Sequence, residues 1–431
     1  MEFILNVGMD IRHHRHAWNR GFGERHMELA LQFGWGMMAH SRSLVDEWGG
    51  GAVVLSPRDL NGEQVLRLGR DITKRGGMPI LDPQFYLPHA DHERLCSHEY
   101  WPGEFEPDHL LLPEEWSRLL KNLSKVNGEI GTVELMLPGI LADSSNHLDA
   151  WLEQHETMLG EAQRLGLLDE QACMVTIALG ADVATNADSC QRVIEWLEHW
   201  SVPKVYLVLE HPDAKYLSDN PTWLINGLDV IGGFRLQGKE VMVGYANQEL
   251  LIAAAAGATA IASGTWMNVR SFAPAKFRQV YDDEMRQRKI WYYAPRTLSE
   301  YGVPYLDMAV RQGLLDLMRP EAGQENRYSA SLLASPQPST APFSEADAFL
   351  HYLSCMREQA LALTKPTFDE TISAIRTMLD TAEDAYGRLA AREIRDRSRE
   401  FGPDVIQACR AALASVETGL GPRLRRNWIH F

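Results

Sequence analysis

Residues 52–86 read AVVLSPRDLNGEQVLRLGRDITKRGGMPILDPQFY. An apolar run, AVVL, ends in Ser56, Arg58 and Asp59. An amphipathic stretch follows and closes on Gly76-Gly77. A second apolar run, PIL, then delivers Asp82, Gln84 and Tyr86. Strand, polar loop, helix, glycine turn, strand is the predicted order. Apolar strands that release carboxylates and a guanidinium at their C-terminal ends are how a β/α barrel assembles a site, so the chemistry is expected at strand ends.

Outward from this stretch, short apolar runs recur at the spacing of βα units. They are FILNVGMD (3–10), AVVLSPRD (52–59), PILDPQFY (79–86), TVELMLPG (132–139), CMVTIALG (173–180), KVYLVLEH (204–211), EVMVGYAN (240–247) and ATAIASG (258–264). Most are separated by amphipathic segments such as HLDAWLEQHETMLGEAQRLG and NADSCQRVIEWLEHW. Gly257 is expected to end a helix between the last two. Eight such strands predict an α/β protein with a (β/α)8 TIM-type barrel and a C-terminal helical appendage, in preference to an open doubly wound sheet. The predicted organisation is a barrel over 1–280, a barrel-closing region and linker over 281–343, and a helical domain over 344–431. The linker ends in ASPQPSTAPFS (334–344). Ser344 reads as an N-cap with Asp347 in the capping-box position, and three helices follow, broken near Pro366 and Pro403.

The 431 residues carry a net charge of −16, which argues against a generic nucleic-acid binder. Local basic surfaces remain. Residues 385–431 hold nine arginines against five acids. The segment HHRHAWNRGFGERH (13–26) sets Arg15, Arg20, Arg25 and four histidines beside Arg12. The amino terminus lacks a basic stretch leading into an apolar one, so no signal peptide is expected. The apolar run 250–264 is too short for a membrane span. The five cysteines (96, 173, 190, 355, 409) show no CxxC pair and no ligand-like spacing. Free thiols in a reducing, cytoplasmic setting are expected, with a homo-oligomer left open.

In a barrel the strand ends bring Asp10, Arg58, Asp59, Asp82, Gln84, Tyr86, Glu210, His211, Tyr245, Asn247, Ser263, Thr265 and Trp266 to one mouth. Each has a structural alternative: Asp59 as a helix cap, Asp82 ordering the turn at Pro83, His211 as a satisfied loop histidine. As a set they suit cleavage of an N-glycosidic bond. A carboxylate, Asp82 or Asp10, stabilises or traps the oxocarbenium-like sugar. Gln84, Tyr86, Glu210, His211, Tyr245, Asn247 and Trp266 are the candidates for holding the departing base. Arg12, Arg15, Arg20, Arg58 and Arg270 are the candidates for a nucleic-acid backbone. His14-Arg15-His16 matches the HxH of metal-dependent barrels. Of that family's later ligands only His211 is in place, so no metal and no cofactor is expected. Gly244 and Gly264 leave open a phosphate- or FMN-binding alternative.

The sequence resembles the tRNA-guanine transglycosylase superfamily. VVLSPRDL…GGMPILDPQF follows that family's plan of strand, loop, helix, glycine turn and a strand like PILTDSGGFQ, with Asp82 at the family's functional aspartate. GYANQELLIAAAAGATAIASGTWMNVRSF is similar to its last Gly-rich strand, helix and final strand. The resemblance covers about residues 1–280. The family's last-strand nucleophile falls at Ala262 or Ser263, its paired glycines on strand 6 are replaced by Leu-Glu-His-Pro, and its zinc site is missing. These departures imply hydrolysis in preference to base exchange. Relatives acting on DNA, and a similarity of overall type to prokaryotic antiviral glycosylases, imply DNA with modified bases as partner, glucosylated hydroxymethylcytosine among them. A tRNA- or DNA-acting transglycosylase, and a catalytically dead binding protein, are the alternatives.

Overall fold

The computed structural model describes residues 26–89, 92–102, 112–170, 172–278 and 289–431. The expected strand 3–10, the HxH segment, and the candidates Asp10, Arg12, Arg15 and Arg20 lie outside the described residues.

The described chain forms a main parallel sheet. Its strands are β1 (Glu28–Gln32), β2 (Ala52–Leu55), β3 (Met78–Leu81), β4 (Glu134–Leu137), β5 (Leu141–Ala142), β6 (Ala172–Leu179), β7 (Lys204–Leu209), β8 (Glu240–Val243) and β9 (Ala260–Ser263). Seven of the eight apolar runs are strands. The first described strand, ELALQ, is not among those runs: Glu, Leu, Ala and Gln favour helices in isolation. It is a strand because it pairs on both sides, Leu31 opposite Val53 of β2 and Ala30 opposite Ala262 of β9.

Hydrogen-bonded neighbours run β3-β2-β1-β9-β8-β7-β6-β4, with β5 on β6. The sheet curls strongly. Tyr206 of β7 donates to Gln32 Oε1 of β1 at 2.7 Å, although β9 and β8 lie between them in the strand order. A flat sheet would separate the two by roughly 14 Å at ~4.8 Å per strand. The barrel does not close in the ladder. Among the described residues no β3–β4 pairing completes the ring. One backbone bond spans the gap, from Leu141 N–H to the Tyr86 carbonyl (3.0 Å). Of the barrel expected from sequence, the described residues form a curled eight-strand parallel sheet whose two edges, β3 and β4, adjoin without a ladder between them.

Helices predicted from periodicity cover the outside. Gly62–Lys74 starts on an Asn61–Gln64 capping box, and Leu148–Arg164, Ala187–Glu198 and Pro221–Leu236 follow. Between β8 and β9 the expected α-helix is instead a 3-10 helix, Gln248–Ala256, with every residue buried, ending on Gly257 in the left-handed region (φ 79°). The C-terminal helices supply the missing cover. They are Glu345–Leu363, whose Ser344–Asp347 capping box is formed, then Phe368–Ala390 and Pro403–Thr418. The first packs on β1, the third on Pro221–Leu236, and all three on the 3-10 segment. One hydrophobic core accordingly runs from Met27 to Trp428. The barrel-closing region, read from sequence as loops and helices over 267–333, contains an antiparallel hairpin, β10 (Trp291–Ala294) and β11 (Ser299–Gly302). A second core lies beneath it around Tyr292, Tyr301, Leu306 and Met318. Among the described residues no helix is long and apolar enough to cross a membrane.

The buried 3-10 segment carries a pH liability. Glu249 is fully buried, with Oε2 accepting the Ser218 N–H (2.9 Å) and Oε1 without a partner among the described residues. Burial pushes its carboxyl from 4.5 up to about 8. Folding then requires it protonated, so its contribution is fully present below pH 4.5 and is lost as pH rises through about 8. Glu249→Gln is expected to flatten that decline and to raise the melting temperature at pH 8 by a few degrees. Thermal scans across this range that leave wild type and variant parallel would rule out Glu249 as the source.

Candidate active site

The C-terminal end of β3 turns sharply at Asp82-Pro83-Gln84. Gln84 has φ 52°, a left-handed conformation uncommon outside glycine. The turn folds the Asp82 carboxyl back so that Oδ1 accepts the Gln84 N–H (2.9 Å). Tyr86 Oη donates to Oδ2 at 2.8 Å, and Tyr245 Oη, from the end of β8, reaches it at 3.4 Å. Tyr245 is also left-handed, φ 52°. Two strained residues at one carboxylate, each costing about 1–3 kcal/mol, are a common mark of a functional site. Asp82 is wholly buried, and burial pushes its carboxyl up to about 7 against the three hydrogen bonds that pull it down.

The proton positions around Asp82 are set by Gln84. Its Oε1 accepts the Arg58 N–H (2.8 Å), which leaves Nε2 to donate to Tyr245 Oη (3.1 Å) and Ser56 Oγ (3.0 Å). Tyr245 oxygen being an acceptor there, its proton is free to point at Asp82. Ser56 in turn donates to Asp59 Oδ2 (2.7 Å), whose carboxyl burial also pushes up, against Arg58. Below this network Tyr206 fills the sheet's concave side. A Cβ on Gly244 would lie 2.4 Å from the Tyr206 hydroxyl, and one on Gly264 2.4 Å from the Gln32 carbonyl. At both positions internal packing alone requires glycine.

A cavity of about 510 Å³ opens beside Tyr86 at the seam, lined among others by Leu141, Asp143, His147, Trp151 and Arg278. Its size suits a small molecule or an extruded nucleotide. A larger cleft, about 560 Å³, lies between Pro295 and the helix Phe368–Ala390; of the Asp82 network only Tyr86 lines the first cavity, and no member lines the second.

Of the residues singled out from sequence, Asp82, Gln84, Tyr86 and Tyr245 meet in one network, and Arg58 joins it. Others do not. Glu210 accepts the Ala181 N–H (2.9 Å) at the rim. His211 is buried, its Nδ1 3.2 Å from the Lys215 carbonyl and its ring edge-on to Trp223 at 4.8 Å. Burial lowers it to about 4, so it is a neutral loop histidine. Asn247 caps the 3-10 segment by accepting the Glu249 N–H (2.8 Å), donates to the Tyr216 carbonyl (2.7 Å), and is fully buried. Trp266 packs edge-on to Phe349 (5.1 Å), away from Asp82. Arg270, a sequence candidate for the nucleic-acid backbone, is 2% exposed, donating to the Gly264 carbonyl (2.8 Å) and paired with Glu300 (3.1 Å). Glu300 also binds Arg399 (2.7 Å), and the Arg270 guanidinium lies 3.3 Å from the Tyr352 ring centre. This charge serves the fold and does not face solvent.

Sequence reasoning missed Tyr206 and Gln32 beneath Asp82, and Phe272 and Phe277 above it. Tyr206 had a usable signal, a hydroxyl in the middle of the strand KVYLVL. The phenylalanines had none, since SFAPAKF reads as an ordinary loop. Among the described residues no group of three His, Cys, Asp or Glu is arranged to hold a metal ion. Comparison with protein-family models and with curated proteins found no match.

Proposed function

We propose that this chain is an N-glycosidase acting on a modified base in DNA, with Asp82 as the carboxylate facing the sugar. The observation that carries the reading is Asp82 itself: a buried carboxyl near neutral pKa, held by two tyrosines at the C-terminal edge of a curled parallel sheet, beside two strained residues. As the C–N bond breaks, its electron pair leaves with the base and the sugar becomes cationic. The anionic form of Asp82 stabilises that cation, water adds its hydroxyl to the sugar carbon, and the proton that water gives up goes to the departing base. Tyr86 and Tyr245 direct their protons at the anion and keep it oriented. The departing base is assigned to the seam cavity beside Tyr86, which Arg278 lines, and Arg58 and Arg94, both beside Asp59, are the further contacts for phosphate. In this reading the sheet is a (β/α)8 barrel, and cysteines without CxxC or ligand-like spacing fit a reducing cytoplasm. The transglycosylase resemblance adds the DNA substrate and a role in defence against phage carrying modified bases.

The test is base release. The purified chain is incubated with unmodified DNA, glucosylated-hydroxymethylcytosine phage DNA and bulk tRNA, and freed bases are identified by mass spectrometry. Release of a modified base from the phage DNA alone supports the reading. Guanine exchange into tRNA would replace it with a transglycosylase, and retained DNA binding with no freed base would replace it with a binding protein.

A further inference from the structure

Asp82 is covered as well as buried. The segment Ser271–Arg278 crosses above it, and Phe272 and Phe277 pack edge-on to Tyr86, each at 5.0 Å, with Phe272 also 5.2 Å from Tyr245. At one end the segment is held to β7 by the Glu210–Phe272 bridge, whose His211 N–H to Phe272 carbonyl bond is long (3.4 Å). At the far end Arg58 Nε, just beyond β2, donates to the Lys276 carbonyl at 2.6 Å. The two anchors stand on opposite sides of the curled sheet, so the segment spans its mouth. Side-chain and bridge contacts hold it there, not a strand ladder.

Resting on the reading of Asp82 as the reacting carboxylate, we propose that Ser271–Arg278 is a lid latched by Arg58, and that a substrate phosphate opens it by taking the Arg58 guanidinium. Arg58 is placed for both tasks. Its side chain is 16% exposed, its other charged contact is a long one to Asp59 (3.5 Å), and Nη2 has no hydrogen-bond partner among the described residues. Arg94, donating to the Asp59 carbonyl (2.8 Å), adds positive charge beside it. A phosphate offers two oxygens in the geometry of the guanidinium fork, a stronger match than one carbonyl. The consequence is selectivity by substrate class. Nucleotides in a phosphodiester strand open the site, and free nucleosides, with nothing to offer Arg58, do not.

Hydrogen exchange of the 271–278 amides in the full chain tests this without any turnover. Arg58→Ala is expected to raise exchange about tenfold, the usual effect of losing one charge-assisted hydrogen bond. Inorganic phosphate, against chloride at equal ionic strength, is expected to raise it in wild type and to add nothing in Arg58→Ala. Arg58→Lys, which keeps the charge, should retain part of the phosphate response, which separates latching from general loosening. A mixture of deoxynucleosides should leave wild-type exchange unchanged. Equal exchange in wild type and Arg58→Ala, or a phosphate response that survives in Arg58→Ala, overturns the latch. The two readings fail separately: base release with an unresponsive lid removes the latch alone, and a responsive lid with no base release removes the glycosidase alone.

Discussion

Asp82→Asn is expected to reduce base release by at least a thousandfold while the chain stays folded. The loss follows from removing the negative charge placed to oppose a developing cation in a water-poor site, where such a charge acts most strongly. Folding should survive because the amide oxygen of the substituted side chain would still accept the Gln84 N–H, now 2.9 Å from Asp82 Oδ1, and position 82 would no longer bury a carboxyl. The pH dependences of rate and stability then run in opposite directions. The Asp82 pKa is raised by burial from 3.8 to about 7, so its contribution to stability is present below pH 3.8 and is lost as pH rises through about 7. The rate, needing the anion, rises over the same interval and levels off above it. In Asp82→Asn the stability step near pH 7 should vanish along with the activity. Mass-spectrometric base release combined with thermal unfolding at pH 5, 7 and 9 reads both. An active Asp82→Asn would sink the assignment, whatever its stability.

The second large effect is on the fold. Arg270→Leu should cost about 3–5 kcal/mol, the usual loss when one partner of a buried ion pair is removed. Total stabilities of about 5–15 kcal/mol make this a severe loss. Glu300 is 3% exposed, and its carboxylate would keep Arg399 and the Tyr216 hydroxyl (3.1 Å) but lose its most deeply buried counter-charge. Burial pushes the Glu300 carboxyl up, but Arg399 and Arg270 outweigh burial and hold it below the usual range. Its contribution is therefore present above pH 4.5 and lost as pH falls through its lower folded value. Arg270→Leu should raise that acid transition as well as lower the urea midpoint. Adding Glu300→Gln should recover part of the loss, because the stranded charge goes with it. A midpoint shift no larger than that of an exposed arginine variant, such as Arg426→Leu, would show that the pair does not hold β9 to the hairpin.

Much of the site is legible in the amino-acid sequence, and for a local reason. Asp82, Gln84 and Tyr86 stand within five residues at the end of an apolar run, and Tyr245 stands two residues beyond β8. A strand end that turns polar shows in a few consecutive residues. The candidates that the structure does not bring to Asp82 share a different feature. His211, Asn247 and Arg270 also follow strands, but each is consumed by a partner distant in sequence or by a capping bond. Nothing in their neighbours distinguishes them from Gln84. For Arg270 the deciding partners are Glu300 and Arg399, on the hairpin and in the C-terminal region.

Local sequence is enough to specify seven strands of the described sheet, their parallel βα character, the helices between most of them, and the carboxyl at the end of β3. Apolar periodicity and capping residues report local burial directly. Long-range contact makes ELALQ a strand, since pairing with β2 and β9 overrides its helical preference. It also leaves the ladder open at β3–β4, lays the C-terminal helices over the 3-10 segment after β8, and closes two phenylalanines over Asp82. Each of these depends on which distant surfaces meet, and contact between segments far apart in the chain leaves no periodic trace in either one.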